Sequence, residues 1–226
     1  MGARTSYATW PCPIARTVDV VGDPWTLLIL REALFFRAAR FADFQEALGI
    51  PTNVLTDRLR QLVDEGVLAK RPTAVGRSPH EYHPTAKGAE LWSVLASILA
   101  WGNRWKTDSS LAELPLRHRR CQTRIYSEHC PTCDTRLMLE DVEMDPNLLL
   151  RTAVEIIERA ARAKDGPDAG LERAVPALRR FCRSGSLDFD ELARELTARG
   201  TPIELDRLRA ATAPRGRETS ARPTRP

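Results

Sequence analysis

Residues 40–88 read "RFADFQEALGIPTNVLTDRLRQLVDEGVLAKRPTAVGRSPHEYHPTAKG", and this stretch decides the fold. "RFADFQEALG" predicts a short helix that closes at Gly49, where a left-handed backbone costs nothing. "PTNVLTDRLRQLVDEG" predicts a second helix from near Pro51 to Gly66, because Leu55, Leu59 and Leu62 recur at helical spacing. Past Gly66 the texture becomes short β-prone pieces on both sides of "AVGRSP", with Gly76 and Pro79 as turn residues, which predicts a hairpin. Two helices joined by the short turn "LGIPT" and followed by a hairpin make a winged helix-turn-helix. That turn sets one helix across the next, so the second can enter a major groove about 12 Å wide.

The flanks agree with this plan. From Arg16 to Gly49 the spacing is helical, with Val18, Val21, Trp25, Leu28 and Ile29 at three- and four-residue steps. In "GDPWTLLILREALF", Asp23 suits the cap and Pro24 the first helical position, which turns Trp25, Leu28 and Ile29 toward the core. "TAKGAELWSVLASILAWGNRWKTD" predicts a further helix capped by Thr85, with Leu91, Leu95, Ile98 and Leu99 on one face. Trp92, Trp101 and Trp105 widen its apolar surface, either to complete the core or to meet a partner.

On the second helix of the pair, burial of the leucines leaves Asn53, Thr56, Asp57 and Arg60 pointing outward, with Thr52 at the helix start. Asn can pair bidentately with adenine and Arg with guanine, whereas Asp57 would be repelled by phosphate and is expected to orient Arg60 or accept from a cytosine. Arg58, at the flank, is expected to meet the DNA backbone. Lys70, Arg71 and Arg77 place positive charge on the hairpin, where a wing would straddle the phosphates. The alternative for the helix alone is a solvated polar face; the basic wing that follows favours double-stranded DNA.

The chain has 226 residues, 42% of them hydrophobic, with 34 basic against 30 acidic side chains for a formal charge of +4, which permits a polyanionic partner without demanding one. No apolar run approaches the roughly 18 residues that span a bilayer, and the first residues lack an apolar secretion core, so a cytoplasmic protein without membrane contact is expected. The odd set Cys12, Cys121, Cys130, Cys133 and Cys182 does not form a secreted disulfide framework. Reduced thiols or a metal site fit it better.

Three stretches carry a family resemblance: "CPIARTVDVVGDPWTLLILREAL" from Cys12, "RFADFQEALGIPTNVLTDRLRQLVDEGVLAKR" from Arg40, and "EYHPTAKGAEL" from Glu81. Together they resemble the HxlR-type winged-helix regulators, relatives of the MarR group, over about Cys12 to Trp105. The resemblance implies a bacterial DNA-binding regulator that pairs as a homodimer through its terminal helices. It also implies a role for Cys12, since several members sense oxidants, quinones or aldehydes through the cysteine of this "CP" element. Thiol chemistry allows that role, because Cys12 precedes a helix expected to begin near Pro13, with Arg16 one turn on, and both favour thiolate. A small cysteine packed inertly beside a core helix is the alternative.

Downstream, "RHRRCQTRIYSEHCPTCDTRL" reads His118-x2-Cys121-x8-Cys130-x2-Cys133. Two ligand pairs, each separated by two residues, are what a tetrahedral Zn2+ site uses. His129 could replace His118 as the fourth ligand. Gln122 and Asp134 stand where such turns usually have glycine, so a metal-free hairpin with free thiols stays open, as does a dithiol redox pair at "CPTC". From 146 the pattern is helical again, with Leu149, Ala153, Ile156, Ile157 and Ala160 on one face, and the last residues are basic and proline-rich.

The expected architecture is thus mainly α with a small β-hairpin. It divides into a winged-helix domain at 1–108, a Cys/His hairpin at 109–145, a helical module at 146–212 and a disordered basic tail at 213–226. No catalytic constellation can be assembled from the motifs, so the expected function is sequence-specific transcriptional regulation, as a homodimeric repressor open to an oxidant or small-molecule effector. A zinc-stabilised protein-interaction adaptor and a dithiol redox protein are the competing classes.

Overall fold

The computed structural model describes residues 6–73, 80–106, 116–145, 150, 153–155, 157–158, 178 and 188–199. Helix α1 (Pro13–Val21) begins on proline and leads through Gly22 into α2 (Pro24–Phe35). Asp23 caps α2 as expected, its carboxylate accepting from the amides of Trp25 at 3.0 Å and Thr26 at 3.2 Å. Burial on α2 is centred on Ile29, Leu30, Ala33, Leu34 and Phe35, while Trp25 and Leu28 are only half-buried. Ile29 is thus buried as expected and Trp25 packs against the core from its edge, while Leu28 is the one of the three that falls outside the inward stripe.

Helix α3 (Phe41–Leu48) ends at Gly49 with φ +61°, and α4 (Thr52–Asp64) follows within three residues. Leu55, Leu59 and Leu62 are all buried to within 1% of completeness, so the leucine periodicity located the inner face of α4 correctly. Gly66, at φ +67°, turns the chain into β1 (Leu68–Pro72), which pairs antiparallel with β2 (His80–Pro84). The wing is anchored to the helices by the amide of Tyr82, which donates to the carbonyl of Ala39 at 2.7 Å.

The long helix expected after Thr85 is two helices, α5 (Ala86–Glu90) and α6 (Trp92–Trp105), with Thr85 capping the first through the amide of Gly88. A Cβ at Gly88 would collide with the carbonyl of Val67, so α5 can lie against the start of the wing only with glycine there. Leu95 is buried as expected. Ile98 is not, and points away from the core with 46% of its surface exposed. Trp92 completes the core, meeting Phe35 edge-on at 5.6 Å, whereas Trp101 and Trp105 lie outside it.

Residues 116–145 are more elaborate than a single hairpin. Strand β3 (Leu116–His118) pairs with β6 (Val142–Met144), and β4 (His129–Cys130) pairs with β5 (Thr135–Arg136) between them. Leu116, Ile125, Leu137, Val142 and Met144 give this unit its own buried side chains. It docks on α6, where the indole of Trp92 donates to the carbonyl of Leu137 at 2.9 Å and Arg136 reaches Ser93 at 3.3 Å. Farther on, residues 153–155 and 157–158 and helix α7 (Phe189–Ala198) are helical, with Ala153, Val154, Ile157, Leu192 and Leu196 buried. The expected faces at Leu149, Ile156 and Ala160, Cys182 and the basic tail lie outside the described residues.

Candidate nucleic-acid interface and metal centre

With the leucines of α4 sealed inward, Thr52, Asn53, Thr56, Asp57 and Arg60 form a continuous exposed face. The face is ordered by short contacts. Gln45 of α3 donates to the hydroxyl of Thr52 at 2.8 Å, Thr56 donates to the Thr52 carbonyl at 2.8 Å, and Asp57 holds Arg60 at 3.4 Å. Asp57 thus does orient Arg60 within the free protein. No side chain caps the N-terminus of α4, whose preceding residue is Pro51, so its first-turn amides remain available to an anion.

Lys70 and Arg71 are exposed on β1, opposite Tyr82 and Glu81 of β2 respectively. Arg40 pairs with Glu81 at 3.1 Å, and His83 lies 3.2 Å from the same carboxyl; these hydrogen bonds, Arg40's first, hold Glu81 below the usual carboxylate range. Arg77, expected at the tip of the wing, lies outside the described residues.

Arg58 departs from the expectation. Its guanidinium turns back to Asp23 at 3.0 Å instead of standing free at the DNA-facing edge, and its side chain is 24% exposed against 65% for Arg60. The reason is angular: position 58 lies between the buried leucine stripe and the exposed face, next to the corner where α1 meets α2. Cys12 stands immediately before α1 as a half-buried free thiol in the N-cap position, with Pro13 as the first helical residue.

His118, Cys121, Cys130 and Cys133 come together as one group whose ligand atoms all lie within 4.8 Å of one another. His118 ends β3, and its carbonyl accepts from the Gln122 amide at 2.8 Å, closing a turn that swings Cys121 back over the imidazole. Cys130 ends β4 and repeats the device, its carbonyl accepting from Asp134 at 2.9 Å and its sulfur from the Cys133 amide at 3.4 Å. Gln122 at φ +61° and Asp134 at φ +52° adopt the left-handed conformation that glycine would have supplied, so the turns form without it. His129 points outward to Asp134 at 3.3 Å and is not in the cluster.

His118 Nδ1 lies 3.1 Å from Cys121 Sγ and 3.5 Å from Cys133 Sγ, and the sulfurs of Cys121 and Cys130 are 3.5 Å apart. A tetrahedral zinc ion with ordinary Zn–S and Zn–N bonds needs ligand edges of roughly 3.5–3.8 Å. The short contacts need to widen by a few tenths of an ångström and the longest separations, up to 4.8 Å, to close by about 1 Å to accept it. Hydrogen bonding from the Thr123 side chain lowers the Cys121 thiol to about 6, while the contact with Cys121 and then burial raise Cys133 to about 11. Three thiols and an imidazole packed at this distance can hold a metal ion, and one sulfur is already disposed to be thiolate.

Among the described residues no helix is long and apolar enough to cross a membrane. The sequence profile of the HxlR-like helix-turn-helix family matches residues 20–110, which includes α4 and the wing and ends before His118. An uncharacterized HTH-type transcriptional regulator of Mycobacterium tuberculosis is 36% identical over 121 residues, covering 52% of this chain and 76% of the relative. A Synechocystis protein described in the same terms is 36% identical over 100 residues, covering 44% of this chain and 73% of its own. The crystal structure of PA1607, a candidate transcription factor, superposes with a TM-score of 0.50 at 34% identity, covering 62% of this chain and 99% of that one. The exposed face of α4, the wing beside it and these relatives identify a winged-helix DNA-binding regulator, not an enzyme, and the chain belongs to the HxlR-like helix-turn-helix family.

Proposed function

We propose that the protein represses transcription by binding an inverted-repeat operator as a homodimer, with α4 in the major groove and the wing along the phosphates. The observation that carries this reading is the exposed polar face of Thr52, Asn53, Thr56, Asp57 and Arg60 on a helix whose opposite face is sealed by three buried leucines. Asn53 and Arg60 read base edges; Lys70, Arg71 and Arg77 bind backbone. Asn53→Ala and Arg60→Ala are each expected to change the preferred sequence selected from a random duplex pool, at a cost of about 1–3 kcal/mol for the original site. An unchanged preference in both variants would place base reading elsewhere.

One such helix covers too few base pairs for genomic specificity, which is why pairing is part of the proposal. The pairing surface is supported by two apolar stripes at helical spacing. Trp10, Ile14 and Val18 stand outward along α1 and its approach, and Val94, Ile98, Trp101 and Trp105 along α6. Repression, as against activation, is tested by a promoter reporter in cells with and without the protein.

The four-residue cluster holds one Zn2+ per chain as a structural ion, stabilising 109–145 as a distinct unit between the winged-helix domain (1–108) and the helical module (146–212). A dithiol redox enzyme at Cys130 and Cys133 is disfavoured because Cys130 is wholly buried. Oxidants or electrophiles act at Cys12, where the thiol sits at the head of a helix bearing a pairing stripe. Cys12→Ser is then expected to bind operator like the parent yet keep its affinity after quinone treatment that weakens the parent severalfold. Equal responses of the two proteins in a gel-shift titration would transfer the effect to the other cysteines.

A further inference from the structure

Arg58 and Asp23 are separated by 35 residues and joined at 3.0 Å, and the pair sits in a small network whose members belong to three helices. Asp23 uses its two carboxylate oxygens for different tasks. Oδ1 caps α2 through the Trp25 and Thr26 amides, and Oδ2 accepts from Arg58. Arg58 Nη1 also donates to Gln61 Oε1 at 3.4 Å, and Gln61 Nε2 in turn donates to the carbonyl of Asp19 in α1 at 3.2 Å. Asp19 is held from its other side by the hydroxyl of Ser6 at 2.9 Å. Helix α4 is thereby tied by polar contacts to the end of α1 and the start of α2.

We propose that Arg58 is a positioning residue for DNA recognition, which through Asp23 and Gln61 sets the angle of α4 against α1 and α2. Its side chain contributes no contact to DNA. The leucine stripe of α4 fixes which face turns inward, but apolar attraction is non-directional and sets the remaining few tens of degrees of tilt and rotation less sharply. Hydrogen bonds at the flank are directional and supply what the leucines do not. With Asp23 and Arg58 only 19% and 24% exposed, the pair is partly shielded from solvent and salt. Arg58 Nε is enclosed, and Nη2 and Nη1 are taken up by Asp23 and Gln61, so the guanidinium is committed to the corner and not held in reserve for phosphate. Since α1 carries one of the two proposed pairing stripes, the same network relates the DNA-reading face of each subunit to the subunit interface.

This inference rests on the reading that α4 enters the groove, and its test separates the two. The full-length protein and Arg58→Ala, Arg58→Lys and Asp23→Asn variants are titrated with a selected operator and with an unrelated duplex over a potassium chloride series. Asparagine at 23 preserves the cap on α2 while removing the charge that Arg58 meets. All three variants are expected to lose about tenfold in operator affinity, while the unrelated duplex binds as before and the salt slope is unchanged. The double variant Asp23→Asn/Arg58→Ala should be no weaker than its weaker parent, because the two residues act as one unit.

A phosphate contact predicts otherwise: Arg58→Ala would weaken both duplexes, lower the salt slope by about one and leave Asp23→Asn unaffected. That pattern, or additive losses in the double variant, overturns the proposal. Thermal melts identify a variant that loses its fold, in which case Arg58→Lys, which keeps charge and bulk, decides the matter. If Asn53→Ala and Arg60→Ala shift sequence preference while the Asp23 and Arg58 variants keep full operator affinity, the positioning role alone fails. If neither group changes binding, the groove assignment of α4 fails with it.

Discussion

Protein carrying Cys130→Ser is expected to emerge from chelator-free purification with almost no zinc, against about one ion per chain in the parent, as measured by atomic emission. Cys130 is the most buried ligand, and its sulfur faces Cys121 across 3.5 Å, so serine leaves an incomplete site that solvent cannot complete. The consequence is large because the described strand pairs of 116–145 are two or three residues long. Strands of that length are not stable alone, and in small metal-bound units apparent zinc affinities of about 10–16 kcal/mol are folding free energy. The variant should therefore be cleaved rapidly by protease within 116–145. Trp92 would report the loss by fluorescence, because its indole would no longer reach the Leu137 carbonyl, and an indole left unpaired inside costs about 1–3 kcal/mol. A parent protein free of metal, with strands indifferent to chelator and to Cys130→Ser, would reject zinc in favour of a thiol-only unit.

The double substitution Trp101→Glu/Trp105→Glu is expected to convert the protein to monomer and to reduce operator affinity by about 10²–10⁴-fold. Both indoles are more than half exposed, at 56% and 62%, so their replacement leaves the fold of the subunit intact. Arg104 and Lys106 lie over the two rings at 4.9 Å and 5.8 Å, which moderates the exposed surface without covering it. Like charges placed on a two-fold surface meet their own copies, so each glutamate acts twice. Light scattering at micromolar concentration checks the mass, and titration of a half-site separates lost pairing from lost groove binding. Half-site affinity should match the parent. A variant that stays dimeric would move the interface off α6.

The winged-helix domain was legible in the chain because its signals are local. Leu55, Leu59 and Leu62 announce the inner face of α4 through period alone, Asp23 and Thr85 announce helix starts through the amides they cap, and Gly49 and Gly66 occupy positions of positive φ. The paired x2 spacing likewise pointed to the grouping of His118, Cys121, Cys130 and Cys133, since each turn is a short-range object.

What required the tertiary structure involves distance along the chain or angle around a helix. Nothing in "TDRLRQ" shows that Arg58 pairs with a residue 35 positions earlier while Arg60 stays in solvent; a rotation of about 100° per residue separates neighbours, and only the α1–α2 corner decides which is captured. The same holds on α6, where Trp92 goes inward to Phe35 and Ile98, Trp101 and Trp105 go outward although all four are apolar. His118 prevails over His129 because β3 pairs with β6 and so brings it to the cysteines, and Gln122 and Asp134 take the left-handed conformation because hydrogen bonds closing the two turns hold it. Periodicity and spacing determined the helix-turn-helix pair with the inner face of α4, the wing, and where the paired His and Cys residues lie; which side chains of α2 and α6 turned inward and which arginine of α4 was captured were decided by the neighbours they met, because burial and ion pairing are properties of assembled surfaces.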